Sequence, residues 1–229
     1  MINIKDSAEF KRLLKGLSDD IVDAHVHYLL YKDLIQALDK HPLVGSQSNV
    51  FWTFTLQAHL NSSVYALFRA YDQDMRSLHL RSWLMTIQSN MHLFNEKAFR
   101  ERLKNNSHVD SLAKDARPPD ATALAQDISV CCSSDPIVKK LTIYRGSRIA
   151  HRNAKSLLAA RDVSDANGLT FDDLRALLER AITILNRYSY LFSAAVYSTK
   201  AVGRDDYDYI FKCVEEKVEA ARREWLPQT

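Results

Sequence analysis

The sequence predicts an all-α fold, a bundle of about seven to nine helices in a single domain over residues 1–229. Glycine and proline are scarce: Gly 5 and Pro 5 are each roughly 2% of the chain, against typical usage of about 7% and 5%. Because β-rich folds need many turns, and turns need these residues, such folds are disfavoured. The glycines are also scattered, which excludes a glycine-rich phosphate-binding loop. The hydrophobic fraction of 46% excludes a disordered chain.

Three helices are predicted in the first part of the chain. Apolar spacing predicts a short helix over 7–16. Ser18 is expected to cap a second helix, because the two aspartates after it favour a helix N-terminus, and a His-Pro pair ends this helix near Lys40. The third helix, over about 48–71, is apolar nearly all round, so we expect it to be the central and most buried helix.

Shorter helices are predicted in the middle of the chain. Two of them cover about 78–90 and 96–104, with Asn95 as the N-cap of the second. Residues 105–119 are rich in Asn, Ser, Asp and Pro, and this composition predicts an irregular connection. A further helix follows at about 121–132.

The last three helices begin at clearer signals. An Asp-Pro pair at 135–136 is typical of a helix start, and it opens a helix over about 136–158. Thr170 resembles the first residue of a capping box and opens an amphipathic helix over about 170–200. A final helix is predicted at about 205–224.

Charge and cysteine content limit the cellular setting. The formal net charge of +3 permits a nucleic-acid partner without requiring one. Three cysteines form no disulfide framework, so we expect a reducing, cytoplasmic compartment. The N-terminus lacks the apolar core of a signal peptide. No stretch approaches about 18 uncharged apolar residues, so we expect no membrane association.

Histidines offer no convincing metal site. His25 and His27 resemble a His-x-His ligand pair, but on a helix these two side chains point about 200° apart and cannot share a metal. Asp23 and His27 do share a face, yet two ligands do not complete a site. His59 falls in the most apolar helix and is expected to be a core histidine. We therefore expect no metal and no cofactor.

A basic stripe is the strongest candidate for chemistry. Arg145, Arg148 and Arg152 follow one another at steps of three and four, and His151 flanks them. Arginines bind phosphate and stabilise developing charge, while histidine moves protons near neutral pH, so the set suits a phosphodiester substrate. The alternative is a solvated basic face with a surface histidine, since runs of charge usually face solvent.

This segment resembles the HEPN superfamily, whose signature is Arg, four to six residues, then His. Arg145 and His151 fit that spacing. The surroundings resemble the abortive-infection, U-type HEPN group more closely. That group typically shows Ile-Ala-His at the end of the motif, a later helix like ILNRYSYLF, and an upstream segment like LFRAYDQDMRSLHLRSWL. All three occur in the expected order, at 148–151, 184–192 and 67–84, and the similarity covers about residues 20–220.

The resemblance implies a helical bundle that dimerises through its motif-bearing helices, so that two Arg/His pairs meet in one cleft. It implies a metal-independent endoribonuclease of a phage-defence or toxin type. There the 2′-hydroxyl attacks the adjacent phosphate, which restricts the substrate to RNA. His151 would be the general acid/base and Arg145 the phosphate clamp. Arg148 and Arg152 are our additions as RNA contacts. The toxin interpretation also implies an antitoxin or other regulatory partner.

Two departures from the group keep other functions open. Gly146 stands where active members usually carry a polar residue. Glycine within a helix costs about 1 kcal/mol relative to alanine, so we expect it to mark close packing or a bend at the dimer seam. Asn153 stands where members paired with a nucleotidyltransferase antitoxin often carry Tyr.

Three alternatives follow. A non-catalytic HEPN-like dimer could bind RNA, a nucleotide or a partner protein. A regulator could carry the basic stripe as a solvated face only. A metal hydrolase built on His25 and His27 is the least favoured of the three.

Overall fold

A computed structural model describes residues 2–115, 118–146 and 168–225. These residues form ten α-helices and two short 3-10 segments, and the described ranges contain no strand. The helices are α1 (Ser7–Lys40), α2 (Pro42–Gln47), α3 (Asn49–Ala70), α4 (Leu80–Ser89), α5 (Glu96–Arg102), α6 (Val109–Leu112), α7 (Ala121–Val130), α8 (Pro136–Tyr144), α9 (Phe171–Ser193) and α10 (Tyr207–Trp225). The 3-10 segments are Met91–Phe94 and Ala113–Asp115. The prediction of an all-α fold is confirmed.

One long helix, α1, replaces the first two predicted helices. The prediction that Ser18 caps a helix is wrong, because its hydroxyl donates to the Lys15 carbonyl at 2.8 Å inside α1. Gly16 does not interrupt the helix either. A Cβ at Gly16 would lie 3.2 Å from Cδ2 of Leu78, so the glycine makes room for that side chain. Tertiary packing therefore outweighs the low helix propensity of glycine.

The prediction that α3 is the most buried helix is wrong for its first half. Val50, Phe51 and Phe54 are 70%, 60% and 66% exposed, whereas Leu67 and Ala70 near the end of the helix are fully buried. An apolar sequence without a polar face gives no direction of burial, so it could not indicate which half is covered. No helix in the described ranges has the length and apolar character needed to cross a membrane.

Local capping signals are largely confirmed. Asn95 caps α5 by accepting from the Ala98 N–H at 2.8 Å. Thr170 and Asp173 form a reciprocal capping box at the start of α9, with bonds of 3.1 and 3.0 Å. Two caps were not predicted. Asp120 caps α7 by accepting from the Ala123 N–H at 2.8 Å. At the start of α4, the imidazole Nδ1 of buried His79 accepts from the Ser82 N–H at 3.3 Å.

Three further features differ from the prediction. Helix α2 (Pro42–Gln47) lies between the predicted end of one helix near Lys40 and the predicted start of the next at about 48. The connection predicted over 105–119 includes the short helix α6. Helix α9 ends at Ser193 and not near residue 200, because Ala194 adopts a left-handed conformation with φ 52°. The Asn186 side chain then binds both backbone groups of Tyr197, at 2.7 and 3.1 Å, and holds the chain in its turn.

The described chain divides into two compact units, and the first consists of Met1–Val22 and Tyr65–Tyr197. Its core is aromatic. Phe10 stacks on fully buried Trp83 at 5.8 Å between ring centroids, and it lies 4.6 Å from Phe192. Such pairs contribute about 0.5–1.5 kcal/mol beyond the burial of their surface. These contacts join the start of α1 to α4 and α9.

The second unit consists of Asp23–Val64 and Ser198–Thr229. Its core contains Leu34, Ala37, Val44 and fully buried Phe211, with Trp52 packed edge-on to Phe211 at 4.9 Å between centroids. The single domain predicted from the sequence stays a prediction.

Candidate functional site

The described residues contain one of the four predicted site residues. Arg145 follows α8 directly, and its backbone keeps right-handed helical angles, φ −55° and ψ −51°. His151, Arg148 and Arg152 lie outside the described residues, as does the later part of the predicted motif helix. The roles of these three residues stay predictions. Of the predicted motif, the structure describes only Arg145 and the residues around it.

Helix α8 is anchored on α9 before it reaches Arg145. Asp135 caps α8 as predicted, accepting from two backbone N–H groups at 3.0 Å each. The same carboxylate lies 3.2 Å from a guanidinium nitrogen of Arg180 on α9. One turn into α8, Lys140 donates to Asp173 at 2.9 Å. Arg145 therefore directly follows a helix that two ion pairs, at its start and near its middle, hold against the helix α9 and its N-terminus.

An ion pair fixes the Arg145 side chain. Its NH1 donates to Oδ1 of Asp72 at 3.0 Å, and the two side chains are 47% and 23% exposed. Guanidinium carries five N–H donors, and this bond uses one of them. A guanidinium bound through one N–H keeps the planar fork of donors with which arginine binds phosphate.

Asp72 is itself held by the backbone just beyond α3. Its Oδ1 accepts from the N–H groups of Gln73 at 2.8 Å and Asp74 at 3.4 Å. Partial burial raises the pKa of Asp72, but these bonds and the bond from Arg145 outweigh it, so the pKa lies below its usual value. The carboxylate is therefore ionised at neutral pH and is a fixed anchor for the arginine.

Arg145 lines a cavity of about 360 Å³. The cavity is small but lies within the size range of ligand sites, about 300–1,000 Å³. Its other lining residues come from the end of α3 and the chain just after it: Tyr65, Phe68, Arg69 and Asp72. Tyr65, Phe68 and Arg69 follow the spacing i, i+3, i+4, which places them on one face of α3, and Asp72 lies two residues beyond its end. We call this space the Arg145 cavity.

A second arginine of the Arg145 cavity is held in the same way. Arg69 donates from Nε to Oδ1 of Asp20 at 2.7 Å, and its NH2 lies 2.6 Å from the same oxygen. Within the described part of the chain, each of the two guanidiniums has one carboxylate partner, so the four groups are close to neutral as a set. A ligand would be bound by directed N–H groups more than by net charge.

Aromatic packing positions the cavity walls. Phe68 is 7% exposed and stacks on Tyr144 of α8, with ring centroids 6.4 Å apart and planes inclined by 27°. Tyr71, 2% exposed, donates its hydroxyl to the Leu177 carbonyl of α9 at 2.9 Å. The end of α3 is therefore fixed to both α8 and α9, which is the rigidity a precise site requires.

The histidines of α1 and α3 form a pair. Nδ1 of His27 lies 2.9 Å from Nδ1 of His59, so one ring donates and the other accepts. Burial, followed by the proximity of His27, lowers the pKa of His59. His59 is half-buried, so its predicted place in the core is wrong. Within the described ranges, no group of three or more His, Cys, Asp or Glu residues could hold a metal ion.

The three cysteines are free thiols. Cys131 is fully buried, and burial raises the pKa of its thiol to about 12. A thiol of that pKa is not a nucleophile at neutral pH. The absence of a disulfide framework among the three cysteines agrees with the prediction from the sequence.

Comparison with known families defines the class of the protein. An all-α chain that fixes the arginine of an Arg-x5-His motif at the end of a helix has the features of the HEPN class. The chain belongs to the abortive-infection AbiU2 family of that class, because the family model described as AbiU2 matches residues 7–210. No curated protein and no solved structure matches the chain.

Sequence reasoning missed four residues that line the Arg145 cavity: Tyr65, Phe68, Arg69 and Asp72. A signal was present, since Arg69 and Asp72 lie in the segment 67–84 that carries the family resemblance. Two charged side chains close together in this segment could have marked a functional surface. Their proximity to Arg145 could not be derived in this way, because it depends on how α3 packs against α8.

Proposed function

We propose that this protein is a metal-independent endoribonuclease of a phage-defence or toxin type, active as a homodimer. Membership of the AbiU2 family supports a function in abortive infection. The observation that carries the proposal is the Arg145 guanidinium, fixed by Asp72 at 3.0 Å at the edge of a cavity. A preorganised guanidinium of this kind stabilises the charge that develops on a phosphoryl group.

In the proposed reaction, the 2′-hydroxyl of one nucleotide attacks the adjacent phosphorus. The imidazole of His151 in one protomer takes the hydroxyl proton, the new oxygen–phosphorus bond forms, and the bond to the 5′-oxygen breaks. The His151 imidazolium of the second protomer gives that oxygen a proton. The upstream product ends in a 2′,3′-cyclic phosphate, which water opens to a 3′-phosphate. The downstream product begins with a 5′-hydroxyl. The reaction requires RNA, because DNA lacks the nucleophile.

Three arginines complete the proposed site. Arg145 binds the phosphate under attack, with Asp72 holding its guanidinium. Arg148 and Arg152 bind neighbouring phosphates of the strand, so RNA affinity should fall as salt rises. An RNA substrate and three free cysteines suit the reducing cytoplasm. An antitoxin or other regulatory partner would restrain a toxic nuclease in the cell.

A cleavage assay tests this function. Labelled RNA is incubated in excess chelator with the wild type and with the variants His151→Ala and Arg145→Ala. Arg100→Ala is a matched control, because Arg100 is also ion-paired and 41% exposed but lies outside the Arg145 cavity. We expect the wild type and the control to leave cyclic or 3′-phosphate ends, and the two site variants to leave the RNA intact.

A second substrate sharpens the assay. A DNA strand with one ribonucleotide should be cut only beside that ribose. Cutting at other positions, or cutting that survives His151→Ala, would overturn the proposed reaction. Intact RNA with a folded, dimeric wild type would also overturn it.

One observation favours a second function, a non-catalytic HEPN-like dimer that binds RNA, a nucleotide or a partner protein. Gly146 follows Arg145 at a position that is usually polar in active members of the group. Under this alternative, RNA binds with a marked salt dependence and no strand is cut. The cleavage assay, repeated beside a binding titration, separates the two functions.

A further inference from the structure

We infer that the Arg145 cavity is a nucleotide subsite, in which Tyr65 stacks on one base and Arg69 binds a phosphate of the same strand. The inference rests on the proposed function for its substrate, RNA. It adds a binding site for a specific part of that substrate and names two residues that the sequence motif does not include.

The two residues are placed to act together. Tyr65 and Arg69 are one helical turn apart on α3, and both line the Arg145 cavity. Tyr65 is 44% exposed, whereas the apolar residues beside it on α3, Val64 and Ala66, are buried. The Arg69 side chain is 56% exposed. A ligand in the cavity can therefore reach an aromatic face and a guanidinium at the same time.

Arg69 is preorganised in the same manner as Arg145. Asp20 binds Nε and NH2 of Arg69 through a single oxygen, at 2.7 and 2.6 Å, which leaves the NH1 group outside this contact. The planar guanidinium is then fixed in orientation, and it loses less freedom when it binds a phosphate. Two oriented guanidiniums on one cavity suit a ligand with a repeating phosphate backbone.

The charges of the cavity favour a nucleotide over a simple anion. Among the described residues, each arginine pairs with its own aspartate, so these four groups do not concentrate anions by net charge. Free phosphate would compete with these aspartates and gain little. A nucleotide adds the stacking of its base on Tyr65, a contribution that depends on no charge and tolerates every base. The cavity volume of about 360 Å³ suits one nucleotide more than a longer segment.

Affinity measurements that combine substitution of Tyr65 with removal of the base from the probe test the inference. The probe is a fluorescent 2′-O-methyl RNA tetranucleotide, which cannot be cleaved because its 2′-oxygen is blocked. A second probe has the same backbone with abasic positions. We expect Tyr65→Ala to weaken binding of the first probe roughly five- to fifty-fold and of the abasic probe less than about two-fold. Tyr65→Phe should bind both probes as the wild type does.

The arginine gives a different signature. Arg69→Ala should weaken binding of both probes equally. It should also reduce the magnitude of the slope of log affinity against log salt concentration by about 1. Arg175→Ala is the matched control, since Arg175 is 57% exposed and also paired with an aspartate but lies outside the cavity. Tyr209→Ala, an exposed tyrosine of the second unit, is the control for Tyr65. Circular dichroism establishes that each variant is folded.

The outcomes separate this inference from the proposed function. Equal losses on the two probes for Tyr65→Ala, or no loss on either, would overturn the base-stacking subsite. A wild type that cuts RNA while Tyr65→Ala binds normally would leave the nuclease standing and remove the subsite. If the wild type leaves RNA intact but Tyr65→Ala weakens binding of the base-containing probe alone, the subsite is supported and the proposed nuclease function is overturned.

Discussion

The Arg145 guanidinium and the Asp72 carboxylate are 73 residues apart in the chain and 3.0 Å apart in space. The carboxylate also accepts from two backbone N–H groups, so it cannot follow the arginine if the arginine moves. Asp72 is therefore a positioning residue for Arg145. The pair joins the chain after α3 to the end of α8, which are the two segments that form the walls of the Arg145 cavity.

The first prediction concerns Asp72→Asn. The amide oxygen can still accept the backbone hydrogen bonds, but the charge that holds Arg145 is lost. Misplacement of a catalytic group by about 1 Å can cost roughly 100-fold in rate, so we expect kcat for RNA cleavage to fall roughly 10- to 100-fold, with a smaller change in KM. Single-turnover and steady-state kinetics measure the two parameters.

A structural role alone would give a different result. The Arg145 side chain is 47% exposed, so loss of this ion pair should change the free energy of unfolding by less than about 1 kcal/mol. Asp72→Glu should restore part of kcat, because it restores the charge. A kcat equal to that of the wild type for Asp72→Asn would show that Asp72 does not position Arg145.

The second prediction concerns Gly146→Ala. A Cβ at Gly146 would have no heavy atom of the described residues within 4 Å. The close packing expected at this glycine has no support among the described residues of one chain, and the variant tests the proposal that this position lies at the dimer seam. Alanine should then raise the stability of the isolated chain by up to about 1 kcal/mol. It should also weaken a dimer that packs on this position.

Analytical ultracentrifugation over a concentration series measures the dimer, and thermal unfolding at low concentration measures the chain. Thr142→Ala on the preceding turn of α8 is a control for general effects of substitution on this helix. An unchanged dimer affinity with Gly146→Ala would exclude a close approach of protomers at this residue.

The sequence predicted those parts of the fold that depend on neighbouring residues. Caps at Asn95, Asp135 and Thr170 are confirmed, because a cap and its N–H donor lie within three residues of each other. The continuity of α1 past Gly16 depends on Leu78, which is distant in sequence. Similarly, α9 ends early because Asn186 binds Tyr197 across a turn.

The candidate site likewise has a part that depends on neighbouring residues and a part that depends on the packing of distant helices. The spacing of Arg145 from His151 is a local pattern, and the sequence sufficed to find it. The partners Asp72 and Tyr65 come to Arg145 through the packing of α3 on α8. That packing is carried in part by Phe68 and Tyr144, whose contact no spacing rule indicates.

The third prediction concerns the buried carboxylate of Asp127, which is 7% exposed. Its Oδ2 accepts from the Tyr188 hydroxyl at 2.7 Å and also pairs with Arg187. Asp127→Ala leaves the Tyr188 hydroxyl unpaired in the core. We expect it to lower the free energy of unfolding by about 2–4 kcal/mol, as measured by urea denaturation. Tyr188→Phe alone should cost about 1 kcal/mol.

The double variant Asp127→Ala, Tyr188→Phe provides the control. Removal of both partners leaves no unpaired hydroxyl, so its cost should be smaller than the sum of the single costs. Strict additivity would show that the hydroxyl and the carboxylate do not interact.

The fourth prediction concerns the pH dependence that His79 gives to stability. Its Nδ1 must be unprotonated to accept from the Ser82 N–H, while Nε2 lies 3.2 Å from the Asp74 carbonyl and donates to it. Burial, the largest cause, lowers the pKa of His79 below its ordinary value of 6.5. The unfolded chain therefore binds a proton at a higher pH than the folded chain does.

The sign of the effect follows from this difference. Above about pH 7 both states are neutral at this residue, and the contribution to stability is complete. As the pH falls through about 6.5, the unfolded state takes up the proton first, so the free energy of unfolding falls by up to about 1.4 kcal/mol per pH unit. His59, whose pKa is also lowered, acts in the same direction.

His79→Asn isolates the contribution of His79. Asparagine is a favourable N-cap and does not titrate, so the variant should differ from the wild type by a constant amount above neutrality. Below about pH 6.5 its free energy of unfolding, measured in urea, should rise relative to that of the wild type. If the free energies of unfolding of His79→Asn and the wild type differ by a constant amount from pH 7.5 to about 5.5, protonation of His79 does not affect stability.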